Sequence, residues 1–310
     1  MKRLTIFTPA YNRAYILPKL YESLCVQTCQ DFEWLIVDDG STDYTHDLVE
    51  SWMYENKVTI RYVSQENGGK MRAYNKAVSL TETELFVCID SDDQLISESV
   101  IEDSLEFWNK MTESGFPGGT AVDKVAGWVS RRKMPCSPDV IKTKPYCGML
   151  CEICSATKGE TTIFIRTEIL KEYPYYIHPG ERFIPDSYIY DEMDEKYLFL
   201  FHPYYSQICE YHDDGLTRNW KAWLFSNPYS YREYHAHRIR LKKSDRWRSV
   251  VCFISISLYI GDGSLWRKTP NVLLTISFFP LGCLKFLYDR YMLNRDKNVS
   301  LLQRMHEPVG

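Results

Sequence analysis

The 310-residue sequence contains no internal repeat, no low-complexity tract and no run of about 20 apolar residues. These absences exclude a solenoid, a disordered linker and, on run length, a membrane-spanning helix. Cysteine is too sparse for a disulfide scaffold, at ten residues. Cys25, Cys88, Cys252 and Cys283 sit inside apolar patterns, where a thiol packs as a small hydrophobe. Met1-Lys2-Arg3 runs straight into Leu4-Thr5-Ile6-Phe7, so no signal peptide is expected and a reducing cytoplasm is the expected location. The chain also lacks a basic body. Its net charge is −4, and the sign is split: residues 231–310 carry 14 Lys/Arg against 6 Asp/Glu, leaving residues 1–230 at −12. An acidic body argues against a nucleic-acid partner, and a basic tail asks for a separate one.

What is present in the first hundred residues is alternation. Leu4–Thr8, Trp34–Val37, Val58–Val63 and Leu85–Ile89 read as strands; Ile16–Val26, Asp43–Met53, Met71–Leu80 and Ser99–Trp108 read as helices. Strands alternating with helices of this length predict βαβ units on a parallel sheet. Polar clusters fall at the carboxyl ends of the strands, where open α/β sheets take ligands. From 110 to 160 the pattern loosens around Gly115, Pro117, Gly118, Gly119, Pro135, Pro138 and Pro145, with Trp128–Lys133 a strand. Beyond it, Thr161–Arg166 and Tyr204–Cys209 read as strands and Asp186–Leu198 as a helix. After about 220 the chain is helical, aromatic and basic.

Carboxylates gather where strands should end: Asp38/Asp39, Asp90/Asp92/Asp93 and, later, Asp186. As plain turn and cap residues they would need no partner. Two clusters after successive buried strands favour a different reading. Hard oxygen ligands suit Mg²⁺ or Mn²⁺, which bind one or two carboxylates together with substrate phosphates. A nucleotide diphosphate is the natural second ligand.

Four segments in order carry a resemblance: Thr8-Pro9-Ala10-Tyr11-Asn12-Arg13; Asp31 through Asp43 with Val37-Asp38-Asp39-Gly40-Ser41; Asn67-Gly68-Gly69-Lys70 with Asn75; and Asp90-Ser91-Asp92-Asp93. Their order and spacing resemble family 2 glycosyltransferases of the GT-A fold, strongly over residues 3–110 and more weakly to about 215. The resemblance implies a Rossmann-like, mostly parallel central sheet with helices on both faces over residues 1–220. Residues 1–110 would be its nucleotide-binding half and 111–220 its acceptor-binding half. A helical basic extension occupies 221–310. It further implies that Pro9 and Tyr11 line the nucleotide base, and that Asp39 accepts a hydrogen bond from a uracil N–H. Lys70 would lie near base or diphosphate, and Asp90 would face the ribose. Asp92 would ligate the divalent cation (Mn²⁺ or Mg²⁺), with Asp93 as helper or alternate ligand and the split between the two open.

The same resemblance implies inverting transfer from a nucleotide-sugar donor, UDP-linked, to a glycan or lipid-linked acceptor of capsule or O-antigen type. One general base deprotonates the acceptor hydroxyl. Asp186, just after Pro185 at a helix start, is the expected base, with Glu181 and Asp191 as alternatives. His212 is a candidate third metal ligand, or a surface loop residue. The processive Gln-x-x-Arg-Trp signature is absent, so transfer of a single sugar is expected. A sugar nucleotidyltransferase would instead carry a Gly-rich loop with a basic residue after the first strand, where this chain has Pro-Ala-Tyr-Asn-Arg. An inactive glycosyltransferase-like binding protein would not need Asp39, Asp90, Asp92 and Asp186 together.

Two features stand apart. Cys147, Cys151 and Cys154 have the C-x₃-C-x₂-C spacing of the iron–sulfur motif of radical SAM enzymes, but their sequence context is wrong and buried free thiols are expected. Val250–Ile260 and Val272–Leu284 are apolar stretches with basic and aromatic flanks, the second interrupted by Pro280 and Gly282. Each is too short to span. They suit an interfacial helix or shallow hairpin on the anionic inner face of the cell membrane; the alternative is packing as core.

Overall fold

The computed structural model describes residues 2–134, 137, 143–157, 159–209 and 220–295. The chain divides into two compact units, Met1–Pro174 with Met193–Tyr211, and Tyr175–Glu192 with His212–Gly310. This division differs from the expected boundary at 220 in two places: Tyr175–Glu192 groups with the helical unit, and that unit resumes at His212.

The first unit begins as the alternation predicts. Strands β1 (Leu4–Ala10), β2 (Phe32–Asp38), β3 (Ile60–Ser64) and β4 (Leu85–Cys88) are separated by helices α1 (Leu17–Cys25), α2 (Thr45–Glu55) and α3 (Lys70–Leu80). β1 pairs in parallel with both β2 and β4, and β2 with β3. Successive strands thus leave β1 first on one side and then on the other. Open α/β sheets take ligands at such a reversal, outside the carboxyl ends of the strands, here β1 and β4. Period-two burial feeds two layers. Leu4, Ile6, Trp34 and Val87 share a core with Leu20 and Leu24 of α1, while Phe7 and Phe86 pack on Tyr74 of α3 from the opposite face.

The rest of the unit is mixed. β5 (Gln94–Leu95), α4 (Val100–Ser114), β6 (Val125–Lys133), β7 (Tyr146–Gly148), α5 (Leu150–Thr157), β8 (Thr161–Arg166), α6 (Thr167–Leu170) and β9 (Leu198–Ile208) complete it. The described strands form one sheet in the order β3-β2-β1-β4-β8-β6-β9-β5, with β7 on β9. β8 runs antiparallel to β4, and β6 antiparallel to β8. Two reversals restore direction, so the end of β6 returns to the sheet edge where β4 ends.

The expected helix Asp186–Leu198 stops early. Helix α7 covers Ser187–Met193, and Leu198 opens β9. The apolar run Leu198–Phe201 fits either element by pattern; it becomes strand because β6, β5 and β7 all pair with β9.

The second unit holds α8 (Trp220–Ser226), α9 (Pro228–Arg240), α10 (Arg246–Ile260), α11 (Leu265–Lys268) and α12 (Val272–Arg295). Two expectations are corrected here. α10 is a core helix, with Val250, Phe253, Ile254 and Ile256 fully buried, so it does not offer an interfacial face. The second apolar stretch neither ends at Leu284 nor is interrupted at Pro280. α12 continues through it for 24 residues and is long and apolar enough to cross a membrane, with mean hydropathy 1.5 over its apolar window. Pro280 removes one backbone donor, but the helix is fastened to α10 on both sides of it. Thr275, Gly282 and Asp289 recur every seven residues and are its buried positions. A Cβ on Gly282 would lie 2.4 Å from Ile254 Cγ2, so only glycine permits this approach. Asp289 accepts a 2.7 Å bond from Ser255 and pairs with Lys285 at 2.8 Å.

His235 on α9 is 7% exposed, and neither ring nitrogen is hydrogen-bonded. Burial, reinforced by the Arg238 and Lys285 charges, pushes its pKa down to about 3, against roughly 6.5 in an unfolded chain. Between those values the unfolded state binds a proton that the folded state does not. Stability therefore falls as pH drops below about 6.5, by roughly 2 kcal/mol at pH 5. His235→Phe should be more stable than wild type at pH 5 and lose that advantage by pH 8. Urea midpoints at the two pH values measure this, and a pH-independent difference would refute it.

Candidate active site

The loops leaving β1, β2 and β4 converge on one sheet edge, and the motif residues hold them there. Asn12, at φ +54°, accepts at Oδ1 from the Thr42 N–H (2.8 Å) and donates its own N–H to Ser41 Oγ (2.8 Å). The Ala14 N–H bonds to Asp43 Oδ2, so the loops after β1 and β2 are tied together. Asp38 is also structural. It accepts from the Ser41 N–H and from the Tyr62 hydroxyl.

Asp39 is buried, and its carboxylate already has three donors. Gln65 Nε2 and the Gly68 N–H reach Oδ1 at 2.7 and 2.8 Å, and the Gly69 N–H reaches Oδ2 at 2.7 Å. Gly69, at φ +91°, turns the chain into α3. Asp39 thus fixes the Gly68-Gly69 turn that delivers Lys70. A carboxylate accepts about four bonds, which leaves one position on Oδ2.

Lys70 Nζ lies 2.7 Å from Asp90 Oδ1. A third partner comes from a residue the sequence did not single out. Arg132, at the end of β6, places Nη1 3.0 Å from Asp93 Oδ2 and 3.5 Å from Asp90 Oδ2. Burial opposes ionisation of Asp90, but Lys70 and Arg132 outweigh it and hold its carboxyl down to about 2. Burial pushes Asp93 up to about 7, with Arg132 pulling the other way. Asp92 is raised by burial and then by the Asp90 charge, and among the described residues no cation lies within ion-pair distance of it.

Pro9 sits within β1 and Tyr11 is exposed in the loop beyond it. The structure thus gathers Pro9, Tyr11, Asp39, Lys70, Asp90, Asp92 and Asp93 at one edge. The described residues contain no group of three or more His, Cys, Asp or Glu side chains able to hold a metal by themselves. The donor set still fits a hard divalent cation that completes its shell with phosphate oxygens, because Asp92 offers an unpaired carboxylate.

The three candidate bases differ. Asp186 is exposed immediately before α7, and its backbone carbonyl accepts from Tyr175 Oη at 2.9 Å. Glu181 is buried; its two carboxylate oxygens accept the Tyr229 and Ser230 N–H groups at 2.7 and 2.6 Å, capping α9. Asp191 is buried against Arg238 Nε at 3.2 Å. His212 lies outside the described residues. Of the cysteine trio, Cys151 is exposed rather than buried, because α5 turns it outward; Cys147 and Cys154 are partly buried, which raises their thiol pKa values.

Residues 5–146 match the model of glycosyl transferase family 2. This segment is a family 2 glycosyltransferase domain. Among curated relatives, glycosyltransferase GlyG of Streptococcus pneumoniae is 34% identical over 100 residues, covering 32% of this chain and 33% of GlyG. A chondroitin synthase of Pasteurella multocida is 37% identical over 97 residues, covering 31% of this chain and 10% of that protein. The chain thus spans a third or less of the length of these relatives. Among solved structures, S. aureus TarS 1-349 in complex with UDP-GlcNAc aligns over 97% of this chain and 83% of that one, at TM-score 0.61 and 15% identity. A mannosyltransferase of Pyrobaculum calidifontis in complex with GDP-Man and Mn²⁺ aligns over 98% and 84%, at TM-score 0.55 and 15% identity. These likenesses establish the GT-A fold.

Asp39→Asn tests the turn-fixing role of Asp39. The substitution is isosteric but sets an NH₂ donor against a backbone N–H. It should cost roughly 1–3 kcal/mol of stability, measured by chemical denaturation; an unchanged midpoint would mean the turn is held by other contacts.

Proposed function

We propose that the chain is an inverting, divalent-cation-dependent glycosyltransferase. It would move a sugar from a nucleotide-diphosphate donor, UDP-linked, to a glycan or lipid-linked acceptor in surface-polysaccharide assembly. The observation that carries this reading is the edge formed by β1, β2 and β4, where Asp92 is left unpaired beside the paired Asp90 and Asp93. The UDP-GlcNAc and GDP-Man/Mn²⁺ complexes of the structural neighbours support the donor class and the cation.

The chemistry follows from where charge develops. Breaking a sugar–phosphate bond leaves negative charge on the departing diphosphate, and a bound Mn²⁺ or Mg²⁺ would stabilise that charge. Asp92 would hold the cation, with Asp93 tied back by Arg132. Lys70 would face the diphosphate, and Asp90 the ribose. Pro9 and Tyr11 would flank the base, whose N–H would use the remaining acceptor position of Asp39. Asp186 would take the proton of the acceptor hydroxyl. Glu181 caps α9 and Asp191 pairs with Arg238, roles that are structural, and Asp186, exposed before α7, is kept as the proposed base.

Nucleotide release from UDP-, GDP- and dTDP-sugars, with Mn²⁺ or Mg²⁺ and a lipid extract as acceptor, tests the reaction. Release should require the cation. No cation-dependent release from any donor would overturn the reading. Asp186→Asn should lower kcat by about 10²–10⁴-fold with an unchanged melting temperature, whereas Glu181→Ala should lower the melting temperature by uncapping α9.

Peripheral association with an anionic membrane surface forms part of the proposal. α12 keeps Leu273, Ile276, Leu284, Leu287 and Tyr291 exposed, on the +8 part of the chain. An apolar stripe with basic ends suits an anionic interface. Deleting α12 would dismantle its unit, so surface substitutions are the better test. Leu284→Glu with Leu287→Glu should abolish flotation with phosphatidylglycerol-containing vesicles while leaving the fold intact. Undiminished flotation would exclude this face.

A further inference from the structure

The acidic cluster after β4 has a charge balance that bears on cation uptake. With all three ionised, Asp90, Asp92 and Asp93 bring three negative charges; Lys70 and Arg132 bring two positive ones in ion-pair contact, and Arg13 draws on Asp92 from further away. Arg132 does not belong to the acidic loop. It is fixed on β6, where Arg132 registers with Gln207 of β9, and its side chain is 14% exposed. One guanidinium nitrogen meets both Asp93 (3.0 Å) and Asp90 (3.5 Å). Arginine does not give up its proton in a protein, so this counter-charge is permanent.

We infer that Arg132 makes cation uptake conditional on the nucleotide: by holding Asp90 and Asp93 it leaves Asp92 as a lone carboxylate. A lone carboxylate binds a hard cation weakly unless a diphosphate supplies further oxygens. Arg132 is thus a positioning residue, acting through the carboxylates it holds. The inference rests on the reading that a divalent cation and a nucleotide diphosphate bind at this edge. Without Arg132 the cluster would move from a net −1 to a net −2, and two carboxylates would lose their tether. A cation would then bind without nucleotide.

Mn²⁺ binding to the full chain, followed by calorimetry and by loss of the free-ion EPR signal, tests this with and without UDP. Wild type should bind Mn²⁺ saturably only with UDP. Arg132→Met should bind it without UDP, about tenfold or more tightly than wild type does. Arg132→Lys should behave as wild type. Folded Arg132→Met that still requires UDP would overturn the inference. Wild type that binds no Mn²⁺ even with UDP would instead overturn the functional reading beneath it.

If Arg132→Met does not fold, the comparison of Asp93→Asn with Asp93→Asn/Arg132→Met carries the test. The single variant has a neutral cluster and should bind Mn²⁺ several-fold more weakly in the presence of UDP. The double variant returns to −1 and should recover wild-type binding. Equal binding by the two would overturn the inference.

Discussion

Three carboxylates within four residues at the end of a buried strand cannot all ionise without cations close by. Much else in the first unit answers that constraint. Lys70 is brought by the turn that opens α3, and Arg132 by a strand more than 40 residues along the chain. Each needs a different part of the fold. The turn depends on Asp39, held by two glycine amides and Gln65. The strand depends on β8, whose two antiparallel pairings turn β6 back toward the end of β4. The mixed half of the sheet is therefore more than a scaffold for the second part of the domain. It supplies a counter-charge that the parallel half lacks.

The motif residues divide their labour more than their sequence pattern suggests. Asn12, Ser41 and Asp43 spend their hydrogen bonds on one another's loops, and Asp38 on Ser41 and Tyr62. Asp39 keeps one acceptor position. The proposed donor site would draw on Tyr11, the outer position of Asp39, Asp92 and the Lys70–Asp90 pair. Preorganisation has a clear physical benefit here. Loops that are already tied need not be ordered when a donor binds, so less conformational entropy is lost at that step.

The helical unit solves a different problem with similar means. Its α9 is weakly amphipathic and carries Arg232, His235, His237 and Arg238 toward the interior. Arg232 pairs with Asp262 at 3.1 Å and also donates to Ser264; Arg238 pairs with Asp191 and Asp245. His235 alone among these four lacks a bonded or charged partner and stays neutral. The basic excess of the tail is thus not all surface charge. The residues left to face solvent, such as Arg248, Arg267 and Arg290, flank the ends of α10, α11 and α12. The leucines of α12 occupy the middle of that surface.

How far the sequence could be read follows from how local each signal is. β1 to β4 and their helices were legible because alternation and turn residues are local, and Thr161–Arg166 matches β8 residue for residue. The expected helix Asp186–Leu198 and strand Tyr204–Cys209 differ from α7 and β9 in their bounds because the continuous apolar run between them fits strand or helix until its sheet partners are known. Pro280 and Gly282 read as interruptions of Val272–Leu284 because proline is a local stop signal, whereas the packing of Gly282 and Asp289 that carries the helix through only makes sense beside α10. Asp90, Asp92 and Asp93 were visible as a cluster, but which of them a cation partner would claim was not. That choice is made by Arg132, and nothing in the run Val129-Ser130-Arg131-Arg132-Lys133 separates it from its two basic neighbours. Alternation along β6 offers the one usable cue: Arg131 and Lys133 share a face and Arg132 takes the other. Deciding which face meets the acidic loop requires knowing that β6 lies two strands from β4 and runs in the same sense. That is a fact of topology, and no window of sequence short of the whole sheet contains it.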